Sequence, residues 1–250
     1  GDLVFWLEIA GAIVGLVCFV MWELRREAPL LDVRLFRSAT FSMPLLASSA
    51  NQFAYMGAFV VVPRLLQNES LYGYSVGVSA LLMMPRPGVF AVASPLGGSM
   101  VGSVGWRIPM FIGTFSMVGS MGMFALGSTS GGLIFVMLGL ILSGLSAGIA
   151  SPAYQALVAN SVSDEDLGIA NGMSQTVMWM GIIMGIQSML AFSGEELSTG
   201  RLRWTFVFGG AVALIGIVAP LTAPRRTPPP VFEVRAILNQ ESAETRSTRR

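Results

Sequence analysis

Long uncharged runs, separated by short charged links, constrain the fold of this 250-residue chain more than any other feature. Seven runs are near or above the length of about 20 apolar residues that a helix needs to cross a bilayer. We predict spans at about Leu3–Trp22, Phe41–Val62, Ser75–Gly98, Ile108–Gly127, Leu133–Leu157, Leu167–Phe192 and Trp204–Ala223. The alternating pattern of a β-strand appears nowhere over a useful length. The sequence therefore predicts an all-α membrane protein with about seven transmembrane helices.

The charge composition excludes several classes of function. Only 12% of the residues are charged, against about 25% in ordinary soluble domains, and the chain has neither His nor Lys. Without His there is no Ser-His or Cys-His catalytic pair, and without Lys there is no Schiff base. Cys18 is the single cysteine, so the chain has no internal disulfide and no thiolate cluster. We expect no enzyme, no catalytic residue, no metal site and no cofactor, and the net charge of +1 does not favour nucleic acid.

The placement of the arginines predicts the orientation of the spans. The link between the first two spans and the segment after the last span hold most of them: Arg25, Arg26, Arg34, Arg37, Arg225, Arg226, Arg235, Arg246, Arg249 and Arg250. The opposite side holds Arg64, Arg201 and Arg203. This excess predicts a multi-pass protein of the plasma (cytoplasmic) membrane, with its N-terminus outside and its C-terminus in the cytoplasm.

Polar side chains are unevenly distributed among the predicted spans. Amides and charges in hydrocarbon tend to face a cavity or another helix. The second, third, fifth and sixth spans carry them, at Asn51, Gln52, Tyr55, Arg86, Gln155, Asn171 and Gln175, whereas the fourth and seventh carry no amide or charge between their ends. We predict that these seven residues line a substrate pathway. An interhelical hydrogen bond is the alternative interpretation for each amide.

Arg86 lies near the middle of the third span, in the segment Met84-Pro-Arg-Pro-Gly88. The two prolines remove the hydrogen bonds that would reach the carbonyls of Leu81 and Met83, which predicts a broken helix beside a cavity. Arg86 is either a substrate or gating charge, or a structural cation bonded to carbonyls of a neighbouring helix. Glu8, the only acidic residue within a predicted span, is either a proton carrier or an interfacial residue.

Small residues recur at four-residue spacing in the fifth and sixth spans. Gly144, Gly148 and Pro152 form one ridge, and Gly181 and Gly185 form the other. Such ridges allow two helices to approach closely. They predict either an interface at which helices rock against each other or a static packing contact.

Several segments, taken in order, resemble a known transporter family. The link Glu23–Arg37, the segments Leu66–Asn68, Gly73–Gly77 and Met84–Arg86, and the start of the sixth span at Gly168–Gly172 are the ones that carry the resemblance. Together they look like the second half of the 14-spanner drug:proton antiporters, the EmrB/QacA-like branch of the major facilitator superfamily.

Residues Pro95 to Arg107 are similar to the second copy of that family's cytoplasmic motif, G-x-L-x-D-R-x-G-x-R. Gly98, Gly105 and Arg107 match the motif, while Gly102 and Ser103 stand where Asp and Arg are expected. The departure places the charge-relay role of the motif in question for this chain.

The resemblance implies four regions: a linker transmembrane helix (1–22), a cytoplasmic link (23–40), a six-helix transporter half-domain (41–223) and a disordered cytoplasmic tail (224–250). It implies the C-terminal half of a proton-coupled exporter of amphipathic or cationic small molecules, with the lipid bilayer and a missing N-terminal half as partners. The alternatives are a non-transporting heptahelical sensor or scaffold, or a truncated inactive fragment. Because the sequence opens with Gly-Asp rather than Met, we expect it to begin partway through a longer protein.

Overall fold

A computed structural model of the chain describes residues 36–130, 132–163, 165–194 and 198–222, together with residues 11, 14, 15, 18, 21 and 22. In this part of the chain the regular structure is helical, without strands. The helices are α1 (Ala39–Gln67), α2 (Val76–Leu82), α3 (Pro85–Val104), α4 (Arg107–Ser130), α5 (Leu133–Ala159), α6 (Leu167–Ser193), α7 (Thr199–Ala213) and α8 (Val218–Thr222). A 3₁₀ turn, Leu214–Ile217, joins the last two. Most of the predicted first span with Glu8, most of the link 23–40 and the tail 224–250 lie outside the described residues.

Six segments of the described chain are long and apolar enough to cross a membrane. They are Ala39–Gln67, Val76–Val104, Arg107–Thr129, Leu133–Ala159, Leu167–Ser193 and Thr199–Leu221. The prediction of an all-α fold with spans two to seven is therefore confirmed, and the chain is a multi-pass membrane protein.

Helix α1 continues five residues beyond the predicted end at Val62 and passes through Pro63. The extension is favourable because Leu65 and Leu66 are fully buried in the largest apolar cluster of the bundle. The sequence places a proline and an arginine at this point, which favours a helix end, but tertiary packing overrides the local signal.

The third predicted span is broken, as expected, with α2 ending at Leu82 and α3 beginning at Pro85. The expectation that the carbonyls of Leu81 and Met83 are left free is wrong. The backbone N–H of Met84 donates to Leu81 at 3.1 Å, and the N–H of Arg86 donates to Met83 at 3.3 Å. These tighter i to i−3 bonds satisfy both carbonyls at the break.

The last predicted span begins earlier than Trp204, because the Ser198 side chain caps α7 by accepting from the Arg201 N–H at 3.4 Å. It also tightens into the 3₁₀ turn near its end, where Gly216 lies close to Thr114 of α4. The sequence predicts one continuous helix here, and the structure corrects that detail.

The packing of the bundle places α1 and α5 at positions with several neighbours. Helix α5 packs extensively against α3 and α4, and α1 packs extensively against α6. The largest apolar cluster joins α1, α4, α5 and α7, and includes Val61, Met121, Leu140 and Phe206. The break between α2 and α3 therefore lies beside a close-packed frame.

Candidate functional site

The break in the third span places Arg86 in the first turn of α3, inside the bundle. The side chain is only 2% exposed. Gly144 of α5 lies against the Arg86 carbonyl so closely that a β-carbon at this glycine would overlap it. A glycine on α5 thus allows the broken segment to come close enough for its arginine to be buried.

The Arg86 guanidinium packs against aromatic side chains of α1. Its Cζ lies 3.5 Å from the centre of the Tyr55 ring and 5.3 Å from the centre of the Phe59 ring. The Nη2 of Arg86 donates a hydrogen bond to the Tyr55 carbonyl oxygen. A desolvated cation is attracted to the face of an aromatic ring, so these contacts account for part of the stabilisation of a buried charge.

The remaining donors of Arg86 are unused. Its Nε and Nη1 are buried and have no hydrogen-bond partner among the described residues. None of the six spans contains Asp or Glu, so these segments offer the guanidinium no counter-ion. Since a buried charge is costly unless it is paired and hydrogen-bonded, the site holds a cation with capacity for a further acceptor.

A buried hydrogen bond lies one helical turn before Tyr55 on α1. The Asn51 side chain donates from Nδ2 to the Ser146 hydroxyl of α5 at 3.0 Å. The structure thus brings together Asn51, Tyr55 and Arg86 of the predicted pathway, in a polar line where α1 meets α3 and α5. For Asn51, the alternative interpretation of an interhelical bond describes the observed contact.

An apolar pocket of about 350 Å³ adjoins this polar line. It lies between the end of α1 and the broken segment, and is lined by Phe59, Pro63, Gln67, Val76, Ser79, Ala80, Met83, Met84 and Pro87. The Ser79 hydroxyl is buried and has no hydrogen-bond partner in the described part of the chain. Phe59 belongs both to the wall of the pocket and to the surroundings of Arg86.

The other predicted pathway residues do not belong to this buried group. Gln155, Asn171 and Gln175 are exposed on the surface of the described bundle, and Gln52 is half-buried. Exposure on α5 and α6 leaves their amides available to a further part of the protein or to solvent. Their role in a pathway stays a prediction.

Both predicted glycine ridges are packing contacts inside the bundle. A β-carbon at Gly148 would lie 2.7 Å from the Ala93 β-carbon of α3. On α6, a β-carbon at Gly181 or Gly185 would overlap the backbone of Ser49 or Phe53 on α1. Pro152 lies within α5 and is half-buried. The close approach agrees with static packing, and motion at these contacts stays a prediction.

The ends of three helices are tied together at the far end of α1. Arg64 donates to the Ser193 hydroxyl at 2.9 Å and to the Gly194 carbonyl at 3.1 Å, both at the end of α6. The Tyr72 hydroxyl donates to the Gly127 carbonyl at 3.0 Å on α4. Burial, followed by the neighbouring Tyr74, raises the pKa of Tyr72 above its ordinary value.

The residues of the predicted cytoplasmic motif lie where α3 turns into α4. Gly105 ends α3 with φ of 80°, a conformation that favours glycine. Arg107 begins α4 and donates to the Leu221 carbonyl at 3.3 Å, which ties this turn to α8. Gly98 is exposed, with open space where a β-carbon would lie. Two of the three matching residues, Gly105 and Arg107, thus shape the turn.

Sequence comparisons relate this bundle to known proteins. The family model described as Major Facilitator Superfamily matches residues 2–186 and 117–245, which together cover most of the chain. The chain belongs to the major facilitator superfamily. In this superfamily, it is 30% identical over 175 residues to multidrug resistance protein Stp of Mycobacterium tuberculosis, covering 70% of this chain and 32% of that protein.

Two further relatives extend the comparison. The tetracenomycin C resistance and export protein of Streptomyces glaucescens is 28% identical over 190 residues, which are 74% of this chain and 34% of that protein. Multidrug export protein EmrB of Escherichia coli is 33% identical over 87 residues, which are 35% of this chain and 17% of that protein. The aligned region is about a third of the length of the first relatives. These relatives confirm the resemblance to a multidrug branch of the superfamily.

Sequence reasoning missed most of the pocket wall. Phe59, Met83 and Met84 read as ordinary apolar residues of a span, and Ser79 as a small residue of a helix. The one available signal is their spacing: Ser79 and Met83 are four residues apart, immediately before the proline break, and therefore share a face. The sequence does not indicate that this face meets α1.

Proposed function

We propose that this chain is the C-terminal half of a proton-driven exporter of amphipathic or cationic small molecules. A second six-helix half would complete the transport pathway, since transporter halves of this kind hold their site at the interface and rock around it. The names of the relatives, which describe multidrug resistance and export, support this class of substrate. The chain would work as a transporter and not as an enzyme.

The observation that carries the proposal is the polar line at Arg86 beside an apolar pocket, inside an otherwise apolar bundle. Ionisable residues within membrane spans are costly and mark functional positions. Because none of the six spans contains Asp or Glu, we infer that the carboxylates for proton coupling belong to the other half. The exposed amides of Gln155, Asn171 and Gln175 are the proposed surface of this half towards the pathway.

The proposed setting is the plasma (cytoplasmic) membrane, with the C-terminus in the cytoplasm and the N-terminus outside. The excess of arginine on one side of the spans supports this orientation. Labelling of single introduced cysteines with an impermeant maleimide in intact cells tests it. We expect a cysteine placed at Ser70, after α1, to react because that link lies outside. Reaction of a cysteine placed at Ser163, between α5 and α6, would instead show that the orientation is the opposite one.

The decisive test is efflux of a neutral fluorescent amphiphile by the full-length protein in energised cells, with Arg86→Ala and Gln175→Ala compared at equal expression. We expect both variants to reduce efflux, and a protonophore to abolish it in the parent protein. Phe115→Ala, at an exposed position of α4, which carries no proposed pathway residue, serves as the control. Unchanged efflux in both polar variants would contradict the assignment of these pathway residues.

A non-transporting scaffold or inactive fragment is the second candidate. It is favoured by Gly102 and Ser103, which replace the Asp and Arg of the cytoplasmic motif. Absence of efflux in the parent protein, when it is expressed and correctly oriented, would favour this candidate. The DNA upstream of the coding segment gives a simpler test, because six or seven further spans in frame support the transporter.

A further inference from the structure

We infer that the pocket between α1 and the broken segment binds small amphiphiles that carry a hydrogen-bond acceptor, preferring anionic and neutral molecules to cationic ones. The inference deepens the proposed export function, because it names the substrate class that this half selects. It narrows the range of amphipathic or cationic molecules by excluding cations from this one site.

The apolar part of the ligand is defined by the pocket wall. The apolar lining consists of two methionines, two prolines, a phenylalanine, a valine and an alanine, and methionine adapts to ligands of different shape. The volume of about 350 Å³ is at the lower end of the range for small-molecule sites. A compact molecule of two or three aromatic rings therefore suits the pocket better than a phospholipid with two acyl chains.

The polar part of the ligand is defined by donors without partners. The Nε and Nη1 of Arg86 and the hydroxyl of Ser79 are buried and unpartnered among the described residues, and Ser79 lines the pocket. Arg86 directly precedes the lining residue Pro87, and Phe59 contacts both its guanidinium and the pocket. An acceptor on the ligand would satisfy donors that the protein leaves unused, which lowers the cost of their burial.

The charge preference follows from the absence of a counter-ion. The six spans hold no carboxylate, so the field of Arg86 within them is uncompensated. In a medium of low dielectric constant, that field attracts an anion and repels a cation much more strongly than it would in water. A cationic amphiphile would have to enter the pocket against this repulsion.

Access to the pocket is provided by its exposed rim. Phe59, Val76, Ala80 and Met84 are exposed on the surface of the described bundle, although they line the pocket. A ligand can therefore enter without unfolding of the frame around α5. Because the Phe59 ring is 51% exposed and its centre lies 5.3 Å from the Arg86 Cζ, we expect movement of this ring to let an acceptor reach the guanidinium.

The test uses protection of an introduced thiol in membranes that contain the full-length protein. Ala80→Cys places a thiol at the exposed rim of the pocket, and Ala91→Cys places a control thiol on an exposed position of α3 outside it. Both are made with Cys18→Ala, which removes the native thiol of this chain, and any cysteine elsewhere in the protein is also replaced. The rate of reaction with N-ethylmaleimide is measured with and without a probe.

Three probes share one ring system. They are the anion anilinonaphthalene sulfonate, its neutral sulfonamide, which keeps acceptor oxygens, and a cationic analogue with an aminomethyl group in place of the sulfonate. We expect the anionic and neutral probes to slow labelling of Ala80→Cys, and the cationic one to have at least about tenfold weaker effect. Labelling of Ala91→Cys should stay unchanged.

Arg86→Gln, combined with Ala80→Cys, tests the role of the charge. We expect the anionic probe to lose about tenfold or more in apparent affinity, while the neutral probe keeps its effect and thereby shows that the pocket is intact. Arg86→Lys keeps the positive charge and should retain the preference for the anion. The test then remains informative even if the glutamine variant fails to fold.

Equal protection by the anionic and cationic probes, or an anionic effect that survives Arg86→Gln undiminished, would overturn the inference. Protection by none of the probes would also overturn it. Because protection is measured without transport, failure of the export proposal is seen separately, as absence of efflux in the parent protein.

Discussion

Helix α1 meets α6 and the broken segment formed by α2 and α3 in opposite ways. Against α6 it forms a backbone contact, where Gly181 and Gly185 leave no room for even one extra carbon beside Ser49 and Phe53. Against α2 and α3 it leaves a pocket of about 350 Å³ and a buried arginine with unused donors. One side of the helix is closely packed and the other is open and polar.

The difference shows how one helix serves both as a frame and as a binding wall. Close packing of small residues fixes the position of α1 relative to α6, because helices in lipid associate through packing and not through the hydrophobic effect. With that position fixed, Tyr55 and Phe59 are held on the other side, where they face Arg86. The comparison predicts that substitutions at the α6 contact damage the fold, whereas substitutions at Arg86 damage function.

Gly185→Leu should have the largest effect. Its side chain would overlap the backbone of Phe53, so the two helices must separate. We expect the variant to lose about 3 kcal/mol or more of folding stability, the upper end of the usual cost of overpacking. We expect loss of the monodisperse peak in fluorescence-detected size-exclusion chromatography. Gly122→Leu, at an exposed glycine of α4 with open space around it, is the control. A normal peak for Gly185→Leu would show that the close contact between α1 and α6 is not required for the fold.

Arg86→Met should have the opposite effect to Gly185→Leu, because it should reduce efflux and leave the fold stable. The change removes a buried charge that has no counter-ion in the six spans, and such a replacement is often neutral or stabilising. We expect the melting temperature to stay the same or rise, while efflux of an acceptor-bearing amphiphile falls by about tenfold, the value of one charge-assisted hydrogen bond. Severe loss of stability with normal efflux per folded molecule would assign Arg86 a structural role instead.

The hydrogen bond between Asn51 and Ser146 should matter for both fold and function, since it joins α1 to α5 and also belongs to the polar line. In a double-mutant cycle of Asn51→Ala and Ser146→Ala, we expect a coupling of about 0.6 kcal/mol, typical of such bonds in membranes. Reversible unfolding in mixed detergent micelles measures it. A coupling of zero would show that this hydrogen bond contributes nothing to stability.

The smallest effect concerns the tie between Tyr72 and α4. Burial raises the pKa of Tyr72 in the folded protein, so the stability from its neutral hydroxyl is complete below the unfolded pKa of about 10 and is lost as the pH rises through the folded value. We expect Tyr72→Phe to cost a few tenths of a kcal/mol at neutral pH, near the low end for a hydrogen bond.

Thermal melting between about pH 9 and pH 11 measures the difference between Tyr72→Phe and the parent protein. The difference should shrink as the pH rises, because the parent loses the bond that the variant already lacks. A difference that grows with pH would contradict the direction of the pKa shift.

The sequence predicted much of the fold because charge and apolar length alone mark the spans. The shared face of Asn51 and Tyr55, and the exceptional position of Arg86, were also visible, since helical spacing and the cost of a buried charge are local properties. The pocket was not visible, because it depends on which helices become neighbours. The carbonyls of Leu81 and Met83 were misjudged because a short turn of tighter bonds satisfies them. The end of α1 was misplaced because burial of Leu65 outweighed Pro63.

The uncompensated charge of Arg86 has an electrical consequence. Moving one elementary charge through a full membrane potential of about 100 mV changes the free energy by about 2.3 kcal/mol. No opposite charge travels with α3 in any of the six spans, so every displacement of this helix along the membrane normal carries net positive charge through the field. A shift through a quarter of the field would amount to about 0.6 kcal/mol at that voltage. The membrane voltage then acts as a force on this helix, separate from any gradient of protons or substrate.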